Sequence, residues 1–590
     1  MVNGTTGPKD ASLNGRMAVL RGSLALLAIV LFYTRITAQY VHPGDSTLTW
    51  EQAIAAYAAM AAEHPEATLT EIGKDDSGDP IHLFVLSRGI PPEPAAQRKA
   101  GRNVLLINNA IHAGEPDGVD ASVMLARGLL NDERLRQHLN ATTVCIIPVY
   151  NVSGARQRRN AGRANQNGPA EYGFRTNARN LDLNRDLMKM DARNTQALIR
   201  ALRSWDPDVF VDTHVSNGSD HQYTMQLLYT HPDKLPSPLD TLLERLIVPE
   251  LHSLMSARNV AMCDYFELYG TPPDSGLFSF FDHPRYTTGM AALYGILGFM
   301  SESHMLKPHA ERVGATYELL LSMLELLDSH GPQIQFARSL AKEAIIGRDH
   351  LLVNWALDSG RSDEISFKGY EAVVLPSQVT GGSRLYYDHD RPFERKLKRF
   401  GHYRARDSIP KPKAYIIPQA WHEVIRRLAV HDVRMVRFDR DTLIQCEVIR
   451  ITSSSGGHGP QEGRYRQHEV RTDRSKDAAL VRAGDLLIPM GEGTDRFVME
   501  ALEPEAADSF FSWGFFDSIM QRKEYYSAYV FEDKAAVLLE QDTLLRVEFE
   551  KRRTEDPEFA GDAEAQLRFL YERSPDAEPG YRRYPILRVP

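Results

Sequence analysis

The chain has 590 residues, of which 43% are hydrophobic and 25% charged, with a formal net charge of -9 at pH 7. This composition is that of a globular protein, and the length predicts two or three domains. The mild negative charge gives no indication of a general affinity for nucleic acid or anionic membranes. Three cysteines without a CxxC pair indicate neither a thiolate zinc site nor a disulfide framework. Any metal ligands must therefore be histidines and carboxylates.

The N-terminal segment has the pattern of a secretory signal peptide. Two arginines precede the almost entirely apolar run Gly22–Tyr33, and small residues follow up to Ala38. The run is short for a membrane-spanning helix, which needs about 20 residues; an uncleaved anchor is the alternative. We expect residues 1–38 to be removed and the mature protein to be secreted or periplasmic, without stable membrane insertion. Met17 is a candidate for the true start.

Helical and strand patterns then alternate along the chain. An alanine-rich helix is predicted over Thr49–Ala62, and a Leu-rich helix over Thr316–Leu327. Between them, Leu239–Ala257 is also predicted to be helical. The strand-like runs are Thr68–Ile72, Ile81–Leu86, Val104–Ile107, Thr143–Val149, Val209–Asp212 and Gly295–Met300. This alternation predicts an α/β fold, with a mixed, mostly parallel sheet and helices on both faces.

The sequence changes character after Gly331, where short strand-like pieces lie among polar loops. Ser453–Gly463 is rich in Ser, Gly and His and is predicted to be a linker or an exposed loop. We therefore place a domain boundary near residue 330. Residues 39–330 would form the α/β domain, and residues 331–590 a C-terminal α+β region of unknown role.

The sharpest local motif is His112-Ala113-Gly114-Glu115, which follows a buried strand and precedes a helix. A histidine and a glutamate at this spacing can turn toward one metal ion. About one such match is expected by chance in a chain of this length. It is nevertheless the only one among the twenty histidines. It also lies at the carboxyl end of a strand, where open α/β sheets build their sites.

Two further strand runs end in residues of the same chemistry. His214 ends the run that begins at Val209, and Glu302 ends the run over Gly298–Ser301. Two histidines and one carboxylate would leave the fourth position of a tetrahedral zinc open, as in catalytic sites. A carboxyl group at the end of an apolar strand can act as a general base. Each residue alone could instead be structural.

A polar loop lies between these runs and contains Asp182-Leu183-Asn184-Arg185-Asp186. Arg185 is suited to bind a carboxylate in a bidentate manner, and Asn184 adds hydrogen-bond donors beside it. An ion-paired surface loop is the alternative interpretation.

Together these motifs resemble the M14 family of zinc carboxypeptidases. The order and spacing of His112 and Glu115, the Asp182–Arg185 segment, His214 and Glu302 are similar to that family over about residues 45–330. The segments Arg163-Ala-Asn-Gln-Asn-Gly-Pro and Glu302-Ser-His-Met-Leu-Lys-Pro resemble a bacterial exported subgroup.

The resemblance implies that residues 39–330 form a catalytic domain that binds one zinc ion and hydrolyses C-terminal peptide bonds. His112, Glu115 and His214 would hold the zinc. Glu302 would activate a zinc-bound water and then protonate the leaving amine.

The remaining roles are also implied by the resemblance. Asn184 and Arg185 would bind the terminal carboxylate of a peptide substrate, and Asp182 would orient His112 through its other ring nitrogen. An arginine would polarise the scissile carbonyl; we assign this role to Arg163 and not to its neighbours at 158 and 159. The family's substrate-binding tyrosine has two candidates, of which we choose Tyr286 over Tyr294.

Two alternative functions remain at this stage. The first is a zinc amidohydrolase or deacylase that acts on small N-acyl amino acids, for which the Asn184-Arg185 pair is equally suited. The second is a non-catalytic peptide-binding pseudo-enzyme. The presence of every expected metal ligand and of the expected base, Glu302, argues against it. No nucleic-acid partner is expected in any of these cases.

Overall fold

A computed structural model describes Met1 and residues 44–216, 218–267 and 276–590. The expected signal peptide at residues 1–38 lies outside the described residues, except for Met1. Within the described ranges, no helix combines the length and apolar character needed to cross a membrane.

A mixed eight-stranded sheet forms the centre of the N-terminal half. Its strands, in chain order, are β1 (Ala67–Lys74), β2 (Pro80–Leu86), β3 (Asn103–Asn108), β4 (Thr142–Ile147), β5 (Val209–Ser216), β6 (Met225–Tyr229), β7 (Met262–Asp264) and β9 (Leu297–His304); β8 (Leu277–Phe278) belongs to another sheet. The strand order is β1-β2-β4-β3-β5-β9-β6-β7. The four neighbours β4, β3, β5 and β9 run parallel, and β6 runs parallel to β7.

Helices connect these strands. In chain order they are α1 (Trp50–Glu63), α2 (Pro94–Ala100), α3 (Asp117–Asn131), α4 (Glu133–Arg136), α5 (Val152–Arg156), α6 (Arg193–Trp205), α7 (Leu239–Leu242), α8 (Val248–Ala257), α9 (Thr287–Ala292) and α10 (His309–Gly347). A π-helical turn over Leu243–Ile247 joins α7 to α8. Thr49 begins α1 with a capping box, in which its hydroxyl accepts a hydrogen bond from the Gln52 backbone.

Apolar side chains of the central strands alternate between two core layers. In β3, Val104 and Leu106 pack in the layer that contains α6. Leu105 and Ile107 pack in the opposite layer with α3 and α10. This alternation follows from the two-residue period of a strand and buries both faces of the sheet. The prediction of a mixed, mostly parallel sheet with helices on both faces is therefore confirmed.

Helix α10 continues past the predicted Leu-rich helix and contains Pro332. It runs through residues 330 and 331, so the boundary that we expected there lies within a helix. The division of the chain into domains stays a prediction.

The C-terminal region is α+β, as predicted. Its strands are β10 (His350–Leu357), β11 (Asp363–Pro376), β12 (Ser383–Phe400), β13 (Tyr403–Pro410), β14 (Ala414–Ile417), β15 (Val436–Arg437), β16 (Thr442–Gly456), β17 (Gln467–Val481), β18 (Leu486–Pro489) and β19 (Leu587–Val589). Its helices are α11 (His422–Val430), α12 (Asp495–Leu502), α13 (Ala528–Gln541), α14 (Thr543–Glu555), α15 (Pro557–Gly561) and α16 (Ala563–Tyr571).

This region packs directly on the N-terminal half. One hydrophobic cluster contains side chains of α6 and α9 together with α12 and the aromatic residues Phe510, Phe511 and Trp513. Strand β12 also pairs with β8, which belongs to the N-terminal half. The two halves therefore share both a core and a sheet.

Candidate functional site

The predicted site residues meet at the carboxyl ends of the parallel strands. His112 lies in the turn that follows β3, while His214 and Glu302 lie near the ends of β5 and β9. His214 is paired directly with Glu302 across the two strands. Because the carboxyl ends of parallel strands share one edge of a sheet, residues far apart in sequence converge here.

His112, Glu115 and His214 form a compact, buried group. One ligand atom from each lies within 4.8 Å of the others. Glu115 Oε2 is 3.3 Å from His112 Nδ1 and 3.2 Å from His214 Nδ1. Two imidazole nitrogens and one carboxylate are the donor set of catalytic zinc sites, so these residues fit a zinc ion.

Both histidines are oriented by an aspartate behind them. His112 Nε2 is 2.9 Å from Asp182 Oδ1, and His214 Nε2 is 2.9 Å from Asp212 Oδ2. When each Nε2–H donates to its aspartate, the Nδ1 lone pair is directed at the site shared with Glu115. The structure therefore places the Asp182 carboxylate beside the His112 ring.

Asp212 was not predicted from the sequence, although a signal for it exists. It precedes His214 by two residues in β5, and residues two apart in a strand share a face. Asn108 Nδ2 donates to Asp212 Oδ1 (2.9 Å), and Thr287 Oγ1 donates to Asp212 Oδ2 (2.8 Å). These bonds fix the carboxylate and, through it, the imidazole.

The charges around the triad of His112, Glu115 and His214 favour a bound cation. Burial alone would raise the pKa of Glu115, but the positive charges of Arg163 and His112 hold it well below its usual range. Glu115 therefore keeps its negative charge although it is buried. Burial likewise opposes the charged form of His214, but the carboxylates of Asp212 and Glu115 raise its pKa well above the usual value. The centre thus stabilises positive charge.

Glu302 faces the same cavity in a different electrostatic state. Burial raises the pKa of its carboxyl to about 7, an effect that the charge of His214 opposes and that of Glu115 reinforces. A carboxyl group with a pKa near neutrality can both accept and return a proton, which is the requirement for a general base that later acts as an acid.

Two arginines converge on the outer oxygen of Glu115. Arg163 Nη1 lies 2.9 Å from Glu115 Oε1, and Arg175 Nη1 donates to the same atom at 3.4 Å. Arg175 also donates through Nε and Nη2 to Asp182 Oδ2 (3.1 and 2.8 Å). Arg175 was not predicted; its only signal is its position seven residues before Asp182.

The two rejected arginines make other contacts. Arg158 donates to the backbone oxygens of Thr47 and Leu48, both at 3.3 Å. The Arg159 guanidinium lies over the ring of Phe174, 4.8 Å from its centroid.

Asn184, Arg185 and Tyr286 line one wall of the cavity. Asn184 Oδ1 accepts a hydrogen bond from the Thr287 backbone (3.1 Å), so the amide nitrogen is the atom able to donate to a ligand. The Arg185 guanidinium stacks on the Tyr286 ring, 4.6 Å from its centroid. Tyr294, the other tyrosine candidate, is buried and hydrogen-bonded to His431.

The cavity has a volume of about 540 Å³ and contains every residue of the predicted site except Asp182, which lies behind His112. A second cavity of about 290 Å³ adjoins it and shares Leu228, Tyr265 and Phe280 with it. The arrangement brings the triad of His112, Glu115 and His214, the Glu302 carboxyl group and a cationic wall to one solvent-accessible space.

Comparisons with known proteins find similar carboxypeptidases. Carboxypeptidase 2 of Trichophyton tonsurans is 29% identical over 104 residues, which are 18% of this chain and 19% of that protein. Carboxypeptidase 2 of Trichophyton rubrum is 28% identical over 104 residues, with the same coverage. The chain thus spans about a fifth of the length of these relatives.

Two solved structures are also similar. A metallo-carboxypeptidase from Burkholderia cenocepacia is 17% identical with a TM-score of 0.35, covering 48% of this chain and 70% of that one. Carboxypeptidase A from Helicoverpa armigera is 17% identical with a TM-score of 0.37, covering 55% of this chain and 82% of that one. The sequence model of the zinc carboxypeptidase family, Peptidase_M14, matches residues 54–217. Residues 54–217 of the chain are therefore similar in sequence to the zinc carboxypeptidase family.

Proposed function

We propose that the protein is a zinc-dependent metallocarboxypeptidase that removes C-terminal residues from peptides. The observation that carries this proposal is the buried triad of His112, Glu115 and His214, which opens on a cavity that also contains Glu302 and Arg185. The triad would hold one zinc ion. When bound, zinc supplies a Lewis acid that polarises the scissile carbonyl and lowers the pKa of a water molecule.

Glu302 would move the proton in this reaction. Its carboxylate takes a proton from the attacking water as the new C–O bond forms at the carbonyl carbon. It then delivers that proton to the amine as the C–N bond breaks. The burial that raises the pKa of Glu302 to about 7 supports both halves of this role.

The two arginines on Glu115 would stabilise charge on the substrate. A guanidinium beside the scissile bond donates to the oxygen that becomes negative when water adds. Arg163 is our assignment for this role, and Arg175 lies close enough to share it because both reach Glu115 Oε1.

Recognition of a chain end would depend on Asn184 and Arg185. Arg185 offers a planar, permanently charged fork for the terminal carboxylate, and the Asn184 amide donates beside it. Tyr286, which supports the Arg185 guanidinium, would close this wall against the substrate. A site with these donors favours peptides that have a free carboxyl end.

The N-terminal sequence supports action outside the cytoplasm. The apolar run Gly22–Tyr33 and the small residues up to Ala38 have the pattern of an export signal. Sequencing the N-terminus of the mature protein tests whether the signal is removed; a mature chain that begins at Met1 or Met17 would contradict cleavage and favour the uncleaved anchor.

Cleavage of a mixed peptide library, followed by mass spectrometry, tests the activity. We expect stepwise loss of single C-terminal residues, which stops when the metal is chelated and resumes when zinc is added. Internal cuts would overturn the carboxypeptidase proposal. Release of acyl groups from N-acyl amino acids, without peptide cleavage, would support the deacylase alternative. Peptide binding without turnover would support the pseudo-enzyme.

A further inference from the structure

The C-terminal region reaches the candidate active site through one tight turn. Strands β16 and β17 form a hairpin whose outer part ends in Glu462 and Gly463, and the flanking Gln461 and Arg464 exchange two backbone hydrogen bonds (2.7 and 3.1 Å). Glu462 and Gly463 have φ values of 48° and 79°. Two positive φ values are the geometry of a primed two-residue hairpin turn, which favours Asn, Asp or Gly at both positions.

Glu462 contacts the segment that holds the predicted clamp. Its Oε2 accepts a hydrogen bond from the backbone N–H of Asp182 (2.7 Å). The Asp182 side chain in turn accepts hydrogen bonds from His112 and from the backbone of Asn184 (2.9 Å each). One carboxylate of the C-terminal region thus fixes the residue that orients both a metal-site histidine and the turn carrying Asn184.

Arg464 holds the other end of the same loop. Its Nε and Nη2 donate to the two carboxylate oxygens of Asp191 (2.6 and 2.7 Å). Such a bidentate pair restricts both the distance and the orientation of its partners. The loop from Asp182 to Asp191 is therefore held at both ends by residues two apart in one hairpin.

Arg466, two residues after Arg464, reaches the second segment of the same wall. Arg466 Nη2 lies 3.2 Å from Asp508 Oδ1. Asp508 Oδ2 accepts from the backbone N–H of Arg285 (2.8 Å), and its other oxygen accepts from the Arg285 side chain. Arg285 directly precedes Tyr286. The hairpin therefore contacts, directly or through Asp508, both segments that line the Arg185–Tyr286 wall.

We propose that the Glu462 turn is a positioning device for the carboxylate-binding wall, with Glu462 as its central residue. This inference rests on the proposed function and assigns a role to the region after residue 331. A glutamate is uncommon with a left-handed backbone. The carboxylate at this position reaches the Asp182 N–H, which glycine could not. Glu462 thus adopts a backbone conformation that glycine would adopt more easily, and its side chain makes a hydrogen bond that glycine could not make.

The variant Glu462→Gly tests this proposal because glycine suits the backbone of the turn and lacks the side chain that carries the carboxylate. Glu469→Gly is the matched control: Glu469 is an exposed glutamate of the same hairpin, with a φ of 49°. In Glu462→Gly we expect hydrogen–deuterium exchange of the amide of Asp182 to become about tenfold faster, since its acceptor is lost. We expect KM to rise about tenfold, with a smaller change in kcat, because substrate binding is what the wall provides.

The control should show neither the faster exchange nor the raised KM. Its melting temperature should be no higher than that of Glu462→Gly, so that a general loss of stability cannot explain a difference between the two variants. Faster exchange together with a raised KM supports the proposal. Wild-type exchange, or faster exchange with a wild-type KM, overturns it.

Were the wild-type protein to cleave no peptide, the proposed function would fail. In that case, the exchange measurement and a zinc titration would still test whether Glu462 positions Asp182. Unchanged exchange and unchanged zinc affinity in Glu462→Gly would overturn this positioning role, and a change in both would support it.

Discussion

His214 and Glu302 are paired with each other in neighbouring parallel strands, β5 and β9. Paired residues of adjacent strands project from the same face of a sheet, so both side chains enter the cavity at the same level. Backbone hydrogen bonds of the sheet fix this relationship. The proposed base is therefore held beside a proposed metal ligand by two paired strands of the central sheet, and not by a loop.

Replacement of this base should abolish turnover while leaving the metal site intact. In Glu302→Gln we expect kcat to fall about a thousandfold, because general acid–base catalysis contributes factors of this order. Zinc content should stay at the wild-type level, since the amide replaces a group outside the triad. Steady-state kinetics and metal analysis of the purified variant measure the two quantities.

Glu267→Gln is a suitable control because Glu267 is another glutamate that lines the cavity. We expect its kcat to stay close to that of the wild type. A Glu302→Gln variant with wild-type kcat would contradict the proposed proton transfer.

The aspartate behind His214 should set the affinity for zinc. Loss of the carboxylate that accepts a hydrogen bond from a metal-ligating histidine weakens metal binding about 10- to 100-fold, and we expect a decrease in this range for Asp212→Asn. Competition with a chromophoric chelator measures the change. Asp264 offers the control, because it accepts a hydrogen bond from His252 (2.8 Å) in a similar pair outside the triad. Equal zinc affinity in Asp212→Asn and in the wild type would rule out the orienting role.

His112, His214 and Glu302 could be singled out from the sequence because each ends or follows a recognisable strand run, and Glu115 because it lies three residues after His112. Parallel strands bring their carboxyl ends to one edge, so alternation of strands and helices already implied that His112, His214 and Glu302 converge. Asp212 could have been predicted by the same logic, since it shares a strand face with His214.

The contact of Glu462 with Asp182 could not be predicted in this way. The two residues are 280 positions apart, and the Ser/Gly/His-rich stretch around Glu462 has the composition of a linker. Only the pairing of β16 with β17 turns that stretch into a hairpin directed at the site. Long-range docking of this kind depends on packing between distant elements, for which a local pattern gives no signal.

Arg185 should distinguish peptides by the charge of their C-terminus. In Arg185→Met we expect kcat/KM for a peptide with a free carboxylate to fall about 100-fold, because a charge-assisted bidentate hydrogen bond is lost. The same peptide with an amidated C-terminus should be a poor substrate of both proteins. The ratio of the two kcat/KM values therefore measures the contribution of Arg185.

Arg179→Met is the matched control, because exposed Arg179 lies six residues before Arg185 and donates to the backbone oxygen of Asp191 (2.7 Å). Its preference for the free carboxylate should stay unchanged. An unchanged ratio in Arg185→Met would place the carboxylate-binding group elsewhere.

Asp191 should make the stability of the protein sensitive to acid. Burial would raise its pKa, but hydrogen bonds from Arg464 and the charges of Lys189 and Arg427 outweigh burial and lower it to about 2. A group with a lowered pKa stabilises the folded state above its unfolded pKa, and this stabilisation is lost as the pH falls through the folded value. The shift corresponds to about 2 kcal/mol, lost between about pH 5 and about pH 2.

Urea unfolding of the wild type and Asp191→Asn at several pH values tests this expectation. The difference in free energy of unfolding between the two proteins should be about 2 kcal/mol larger at about pH 5 than at about pH 2. Arg464→Met should reduce the same pH dependence, because Arg464 supplies the hydrogen bonds that favour the ionised carboxylate. A difference between wild type and Asp191→Asn that does not change with pH would show that this ion pair does not govern acid stability, and that the loop from Asp182 to Asp191 is held by its other contacts.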